Sequence, residues 1–155
     1  MDFFSNLNQT QIAALILLGI STPLLIAKIR YWVLADQSLR WLKVKGAVIE
    51  GLSFSMSGTL DFSYQYSVNG RVYSGKRPFF ANSYKKLGRD KTNELINKYP
   101  EGQEIEVYYN PSKPEMSVLE PGRKDGLLTS IIFLAILFIA GIVTLYDWMW
   151  LGNLL

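Results

Sequence analysis

The chain has 155 residues, enough for one domain of ordinary size, and a formal net charge of +3. It contains neither Cys nor His. Disulfides, thiol catalysis and thiolate metal sites are thereby excluded, the chain fits a reducing compartment, and the commonest general base and pH switch are missing. Mean hydropathy is only +0.12, an average over two very different kinds of sequence. All 16 Lys and Arg lie between Lys28 and Lys124, and eleven of the 13 acids lie between Lys28 and Asp125, so the middle carries a net +5.

Residues 1–35 read as an N-terminal transmembrane helix with its flank. No charge occurs from Phe3 to Ala27, although the strongly apolar part, Ile12–Ala27, has only sixteen residues. That is marginal for a span, so the helix is expected to run on to Leu34 with Lys28 and Arg30 snorkelling to the headgroups. Tyr31 and Trp32 would mark that interface. Pro23 should kink the helix or sit against the second span. A cleaved signal peptide is disfavoured by the acidic N-terminus and by the bulky Arg30-Tyr31-Trp32 after the apolar run. The Asn8-Gln9-Thr10 glycosylation sequon reads as chance.

Residues 41–122 read as a β-rich soluble domain. Lys43–Ser55 is the first strand. In Leu60–Val68 every second residue is apolar (Leu60, Phe62, Tyr64, Tyr66, Val68), the pattern of a half-buried strand. Asn69-Gly70 then favours a two-residue type I′ turn, with Arg71–Phe79 as the return strand. That loop length sets Val68 opposite Arg71, Tyr66 opposite Tyr73 and Tyr64 opposite Gly75. The Tyr pair should stack, and Tyr64 should cover the bare backbone at Gly75.

Within Ser83–Tyr99, Gly88 should break the helical pattern. A main helix is left from Asp90, its candidate cap, to Lys98, stopped by Pro100 and Gly102. Gln103–Tyr109 is a strand, Asn110–Pro114 a turn whose prolines block helix and central strand, and Met116–Leu119 a short last strand. Five short antiparallel strands and one helix bury an apolar face only if the sheet curls or the helix covers it. A small barrel or sandwich, OB- or SH3-like, is expected.

Residues 126–147 read as the C-terminal transmembrane helix and 148–155 as a tail. Leu127–Tyr146 is twenty uncharged residues, about 30 Å of helix, the thickness of a bilayer's hydrocarbon core. Tyr146, Trp148 and Trp150 would form an interfacial belt. Gly19, Ala140 and Gly141 offer small surfaces for helix packing. Neither span carries a charge in its centre, which argues against a proton or ion relay. The fold class is therefore membrane α+β: two transmembrane helices flanking a small antiparallel β-barrel or sandwich domain. Lys and Arg crowd the inner flanks of both spans and are absent from the outer ones. The positive-inside rule puts the central domain in the cytoplasm and both termini outside.

A set of turn and packing residues points to a family. Trp41, Gly46 and Val48 lead in, followed by Tyr64, Tyr66, Val68, Gly70, Tyr73 and Gly75. Tyr99-Pro100, Gly102, the Val107-Tyr108-Tyr109-Asn110-Pro111 segment, Pro114, Leu119 and Pro121-Gly122 complete the set. Over residues 41–122 the chain resembles the bacterial family of unknown function DUF3592. The resemblance implies a membrane setting, here a bacterial inner membrane, and a β-rich domain. It implies no catalytic residue.

The chemistry-bearing residues are few. Glu104 and Glu106 share a strand face and could form a carboxylate pair, but a solvent-facing edge is the commoner role. Lys85, Lys86, Arg89 and Lys91 form a basic run beside Arg71, Lys76 and Arg77. That run is the candidate contact for anionic lipid, with nucleic acid the less favoured anion because Tyr64 and Tyr66 point to the core. No nucleophile elbow and no phosphate-binding glycine loop occurs, so neither an enzyme activity nor a cofactor is expected. Two readings follow. One is a membrane-anchored module that binds a protein partner or a second copy; the other is a protein that senses or organises anionic membrane.

Overall fold

The computed structural model describes residues 8–54, 60–81 and 89–151. Two compact units divide the chain: Tyr31–Gly126, and the paired ends up to Arg30 and from Leu127.

The central unit is a nearly closed antiparallel sheet of five strands. These are β1 (Leu42–Phe54), β2 (Leu60–Val68), β3 (Arg71–Gly75), β4 (Glu104–Asn110) and β5 (Lys113–Val118), in spatial order β3-β2-β1-β4-β5. Strand β1 pairs with β4 along Leu42–Ala47 and with β2 from Gly46 to Phe54. Two register shifts, between Val48 and Glu50 and between Glu50 and Ser53, bend it so that one strand serves both halves. Gly46 sits at the crossover; a Cβ there would lie 2.5 Å from the Gln65 carbonyl oxygen and 2.8 Å from Val107 Cγ2.

The hairpin has the expected register throughout, Val68 with Arg71, Tyr66 with Tyr73 and Tyr64 with Gly75. Asn69 and Gly70 both take positive φ, 52° and 78°, as a type I′ turn demands. Tyr66 and Tyr73 stack with ring centroids 5.8 Å apart. A Cβ on Gly75 would lie 2.2 Å from Tyr64 Cζ, so only glycine leaves room for that ring. Alternate residues of β2 and β4 (Phe62, Tyr64, Tyr66, Val68; Ile105, Val107) fill the interior with Val48, Leu95 and Tyr99. Leu95 and Tyr99 come from α2 (Arg89–Lys98) and the residue after it. Asp90 lies inside the first turn of α2 rather than before it, where its carboxylate faces the positive end of the helix dipole.

Two strand boundaries differ from the sequence reading by more than one residue. Strand β3 ends at Gly75, not Phe79, because the chain leaves the sheet at Lys76. The Pro78 carbonyl then accepts the Leu119 and Glu120 amides at 2.8 and 2.9 Å. Strand β5 begins at Lys113 and includes Pro114. A proline is tolerated there because β5 is an edge strand and the register slips between Tyr109 and Asn110. The gap between the two edges is bridged by side chains. The Tyr64 hydroxyl donates to the Arg77 carbonyl at 3.1 Å and lies 2.9 Å from Ser117 Oγ. The Tyr66 hydroxyl donates to the Pro114 carbonyl at 2.5 Å.

Helix α1 (Gln9–Ser38) ends four residues beyond the expected Leu34 and runs on through Pro23. Its last turns belong to the central unit. Ala35 and Trp41 are buried with Phe80 and Val118 in a second small core, flanked by Tyr31 and Leu34. The Gly122 amide reaches the Ala35 carbonyl (3.1 Å) and Ser38 Oγ (3.0 Å), occupying acceptors at the helix end.

In the other unit the first turns of α1 pair with α3 (Leu127–Leu151). Both helices are long and apolar enough to cross a membrane, and only 11% and 17% of their most apolar windows are buried. Of the three small residues, Gly141 alone packs: a Cβ there would lie 2.8 Å from Leu18 Cγ. Gly19 has nothing within 4 Å, and Ala140 is exposed. The sequon residue Asn8 caps the helix. Its Oδ1 accepts the Gln11 amide (2.9 Å) while its own amide donates to Gln11 Oε1 (2.7 Å), a reciprocal capping box.

Candidate functional site

The residues singled out from sequence do not gather at one place. Lys85 and Lys86 lie outside the described residues, as do the side chains of Arg89 and Lys91, whose backbone opens α2. Trp148 and Trp150 fall on the last turns of α3, their side chains likewise outside. Tyr31 and Trp32 are both engaged. Tyr31 lies 6.1 Å from Phe80 with the Arg77 guanidinium 4.9 Å above its ring, and Lys124 Nζ sits 4.1 Å over Trp32. The two aromatic residues meant for the headgroup layer therefore also anchor the end of α1 to the barrel.

Glu104 and Glu106 are exposed neighbours on β4, and Glu106 pairs with Lys43 at 3.0 Å. The partnership holds the exposed Lys43 ammonium above its usual range through the Glu106 hydrogen bond. Among the described residues no three acids converge on a point that would hold a metal ion.

Sequence reasoning missed a charge network where the barrel hands over to α3. Glu120 accepts from Lys98 Nζ (2.7 Å), from the Tyr99 hydroxyl (2.9 Å) and from Arg123. Arg123 also pairs with Asp125 (2.7 Å) and lays its guanidinium 4.0 Å from the Phe79 ring centroid. Burial works to raise the Glu120 pKa, but hydrogen bonds from Lys98, Arg123 and Tyr99 prevail and hold the carboxyl below its ordinary value. Burial, with the adjacent Glu120 charge, pushes the Tyr99 phenol far up. The signal available was the charged run Glu120-Pro121-Gly122-Arg123-Lys124-Asp125, which sequence reading treats as a domain end and the basic flank of the second span.

Among the described residues, clefts open on the barrel's outside, and two of them border chemistry-bearing side chains at its edges. One, of about 380 Å³, follows the seam between β3 and β5, lined by Gly75, Arg77, Glu115 and Ser117 among others. The other, of about 490 Å³, lies between the end of α1 and the β4–β5 turn, lined by Asp36, Gln37, Arg40, Trp41, Asn110, Ser112 and Lys113. The turn is held by Asn110, whose Oδ1 accepts the Ser112 amide at 2.9 Å. Asp36 is paired with Lys124 at 2.5 Å. Among the described residues neither Arg40 nor Lys113 has an ion-pair partner, whereas Lys43, Lys98, Arg123 and Lys124 each have one.

Searches against curated proteins and against solved structures returned no significant match. A family model does match, over residues 44–124, and its span runs from β1 to the Glu120–Arg123 network. It covers the closely approached Gly46 and Gly75, the tyrosines that bridge the seam, and the Asn110 turn. The chain belongs to the DUF3592 family, a domain of unknown function.

Proposed function

We propose that the chain is a two-span integral protein of a bacterial inner membrane. In this reading the barrel is held at the cytoplasmic surface and works as a non-enzymatic module that binds a protein partner, in a larger membrane complex or as a second copy. The observation that carries the reading is the inversion of apolar exposure. Isoleucines 16, 20, 132, 136 and 139 and Phe133 all stand exposed on α1 and α3, while the barrel encloses its own apolar residues. A helix exposed all round to that degree is at home in hydrocarbon, and the core helix of a soluble protein is not.

Binding rather than catalysis is supported by where the open space lies. The barrel interior is filled with aromatic and aliphatic side chains, and the clefts are on its outer surface. The strand order, with a helix between β3 and β4, is that of an OB-type barrel, which binds ligands on its outer face and connecting loops. That analogy indicates where to look, not what is bound. A second reading, contact with anionic membrane, is favoured by Arg40 and Lys113 beside the end of α1, which have no ion-pair partner among the described residues.

Membrane residence is tested by fractionating cells that express the full chain. The protein should stay with membranes through alkaline wash and leave only in detergent; recovery in the aqueous fraction ends the reading. A reporter inserted within residues 82–90 should be shielded from external protease in intact cells. Purification in mild detergent should then co-isolate a stoichiometric protein or yield a homo-oligomer. A lone monomer ends the partner hypothesis.

A further inference from the structure

We propose that the cleft between the end of α1 and the β4–β5 turn binds the phosphate headgroup of an anionic phospholipid. The inference rests on the reading of α1 and α3 as membrane spans. The lining is rich in donors: Arg40, Lys113, Gln37, the Ser112 hydroxyl and the amide NH₂ of Asn110, whose oxygen is already committed to the Ser112 amide. Its one acid, Asp36, is neutralised by Lys124. Arg40 and Lys113 are left as net positive charge facing an opening large enough for a phosphate ester. Trp41 forms a fixed wall, buried and set edge-on to Phe80 at 5.9 Å.

A lipid fits better than a free phosphate for two reasons. Leu39 and Leu42, which flank Arg40 and Trp41 in sequence, are 62% and 52% exposed and give the cations apolar neighbours. Its α1 lining also follows Trp32 by one to two helical turns, about 5 Å per turn, and Trp32 with Lys124 marks the layer expected at the headgroups. The Asn110-Pro111 turn, which the fold needs only as a reversal, thereby gains a role in presenting Lys113 and the Asn110 amide.

The test uses the full chain in a neutral detergent. Phosphatidylglycerol or phosphatidylcholine is titrated in, and bound lipid is counted by native mass spectrometry. The wild type should prefer phosphatidylglycerol. Arg40→Gln and Lys113→Gln should each weaken that binding about fivefold and the double variant about thirtyfold, near the effect of one surface cation apiece. The charge-keeping pair Arg40→Lys/Lys113→Arg should retain it. Arg71→Gln, which removes an exposed cation on β3 outside the cleft lining, should leave it unchanged. Glycerol 3-phosphate in excess should not displace the lipid. The site is refuted by an unaltered preference in the double glutamine variant or by an equal loss in Arg71→Gln. Displacement by glycerol 3-phosphate would show that the ligand is a soluble phosphate. A chain that needs no detergent refutes the spans themselves, whereas a membrane-resident chain lacking the preference refutes only this site.

Discussion

The barrel and the helix pair are made from the same apolar residue types and dispose of them in opposite directions. In the barrel, Phe62, Tyr64, Val107 and Leu95 point inward and are buried; in α1 and α3, the isoleucines and Phe133 point outward. Burial in the barrel is driven by exclusion from water, so its specificity must come from shape and from satisfied polar groups. The glycine at position 75, the tyrosine hydroxyls and the Glu120 network supply these. For the helix pair, the bilayer proposed above would be as apolar as the side chains, so leaving them exposed would cost nothing there. What joins the helices is close approach, and Gly141 against Leu18 is its point.

The largest test of that contrast is Gly75→Val. The new side chain occupies the space of the Tyr64 ring, displaces a fully buried aromatic and breaks its bonds across the seam. Overpacking and lost hydrogen bonds together should cost about 4 kcal/mol, seen as a collapse of the chain's cooperative near-ultraviolet unfolding transition in detergent. A loss under 1 kcal/mol would mean that the Tyr64–Gly75 stack does not hold the barrel closed.

Next in size is Glu120→Ala, which takes a shared partner from Lys98, Tyr99 and Arg123 at once, leaves Arg123 only Asp125, and should cost about 2 kcal/mol. The sign of its pH dependence follows from the depressed folded pKa. The stabilisation is fully present above the ordinary value of 4.5 and is lost as pH falls through the lower folded value. Wild-type stability should therefore drop on acidification below about pH 4.5 more steeply than that of Glu120→Ala. Parallel curves would remove the network from the account. Tyr64→Phe should cost less, about 1–2 kcal/mol, since the ring still fills its place and only the hydroxyl's bonds to the Arg77 carbonyl and Ser117 are lost.

Much of this barrel was legible because period-two alternation and an Asn-Gly turn are local signals. The register from Val68–Arg71 to Tyr64–Gly75 needs only a loop length, and it placed a glycine under Tyr64 before any coordinates. The end of β3 was not legible, because the Pro78 carbonyl is captured by Leu119 and Glu120, some forty residues later. The Pro114 strand was not legible either, because whether a proline fits depends on being at an edge, a property of the whole sheet. The cleft lining joins residues 36–41 to residues 110–113, and such a non-local meeting leaves no periodic trace. Tyr31 and Trp32 were readable as interfacial aromatics by position, but their contacts with Phe80 and Lys124 depend on how α1 ends against the barrel.

The smallest expected effect is also the most direct test of the helix pair, and it compares one substitution at two glycines. At Gly19 an added Cβ meets nothing within 4 Å, so Gly19→Ala should change stability only through helix propensity, a gain of up to about 1 kcal/mol. At Gly141 the same Cβ arrives 2.8 and 2.9 Å from Leu18 Cγ and Cδ2. Leu18 is flexible enough to yield, so the clash should do little more than cancel the propensity gain and leave Gly141→Ala about 1 kcal/mol below Gly19→Ala. Titrating detergent-solubilised chains with sodium dodecyl sulfate and following helix separation by energy transfer between labels on α1 and α3 measures that difference. A Gly141→Leu variant should widen it, since the larger side chain cannot be absorbed by one rotamer change. Equal stabilities for all three variants would mean that α1 and α3 do not pack through this contact. The helices would then be two independent spans that share only the barrel between them.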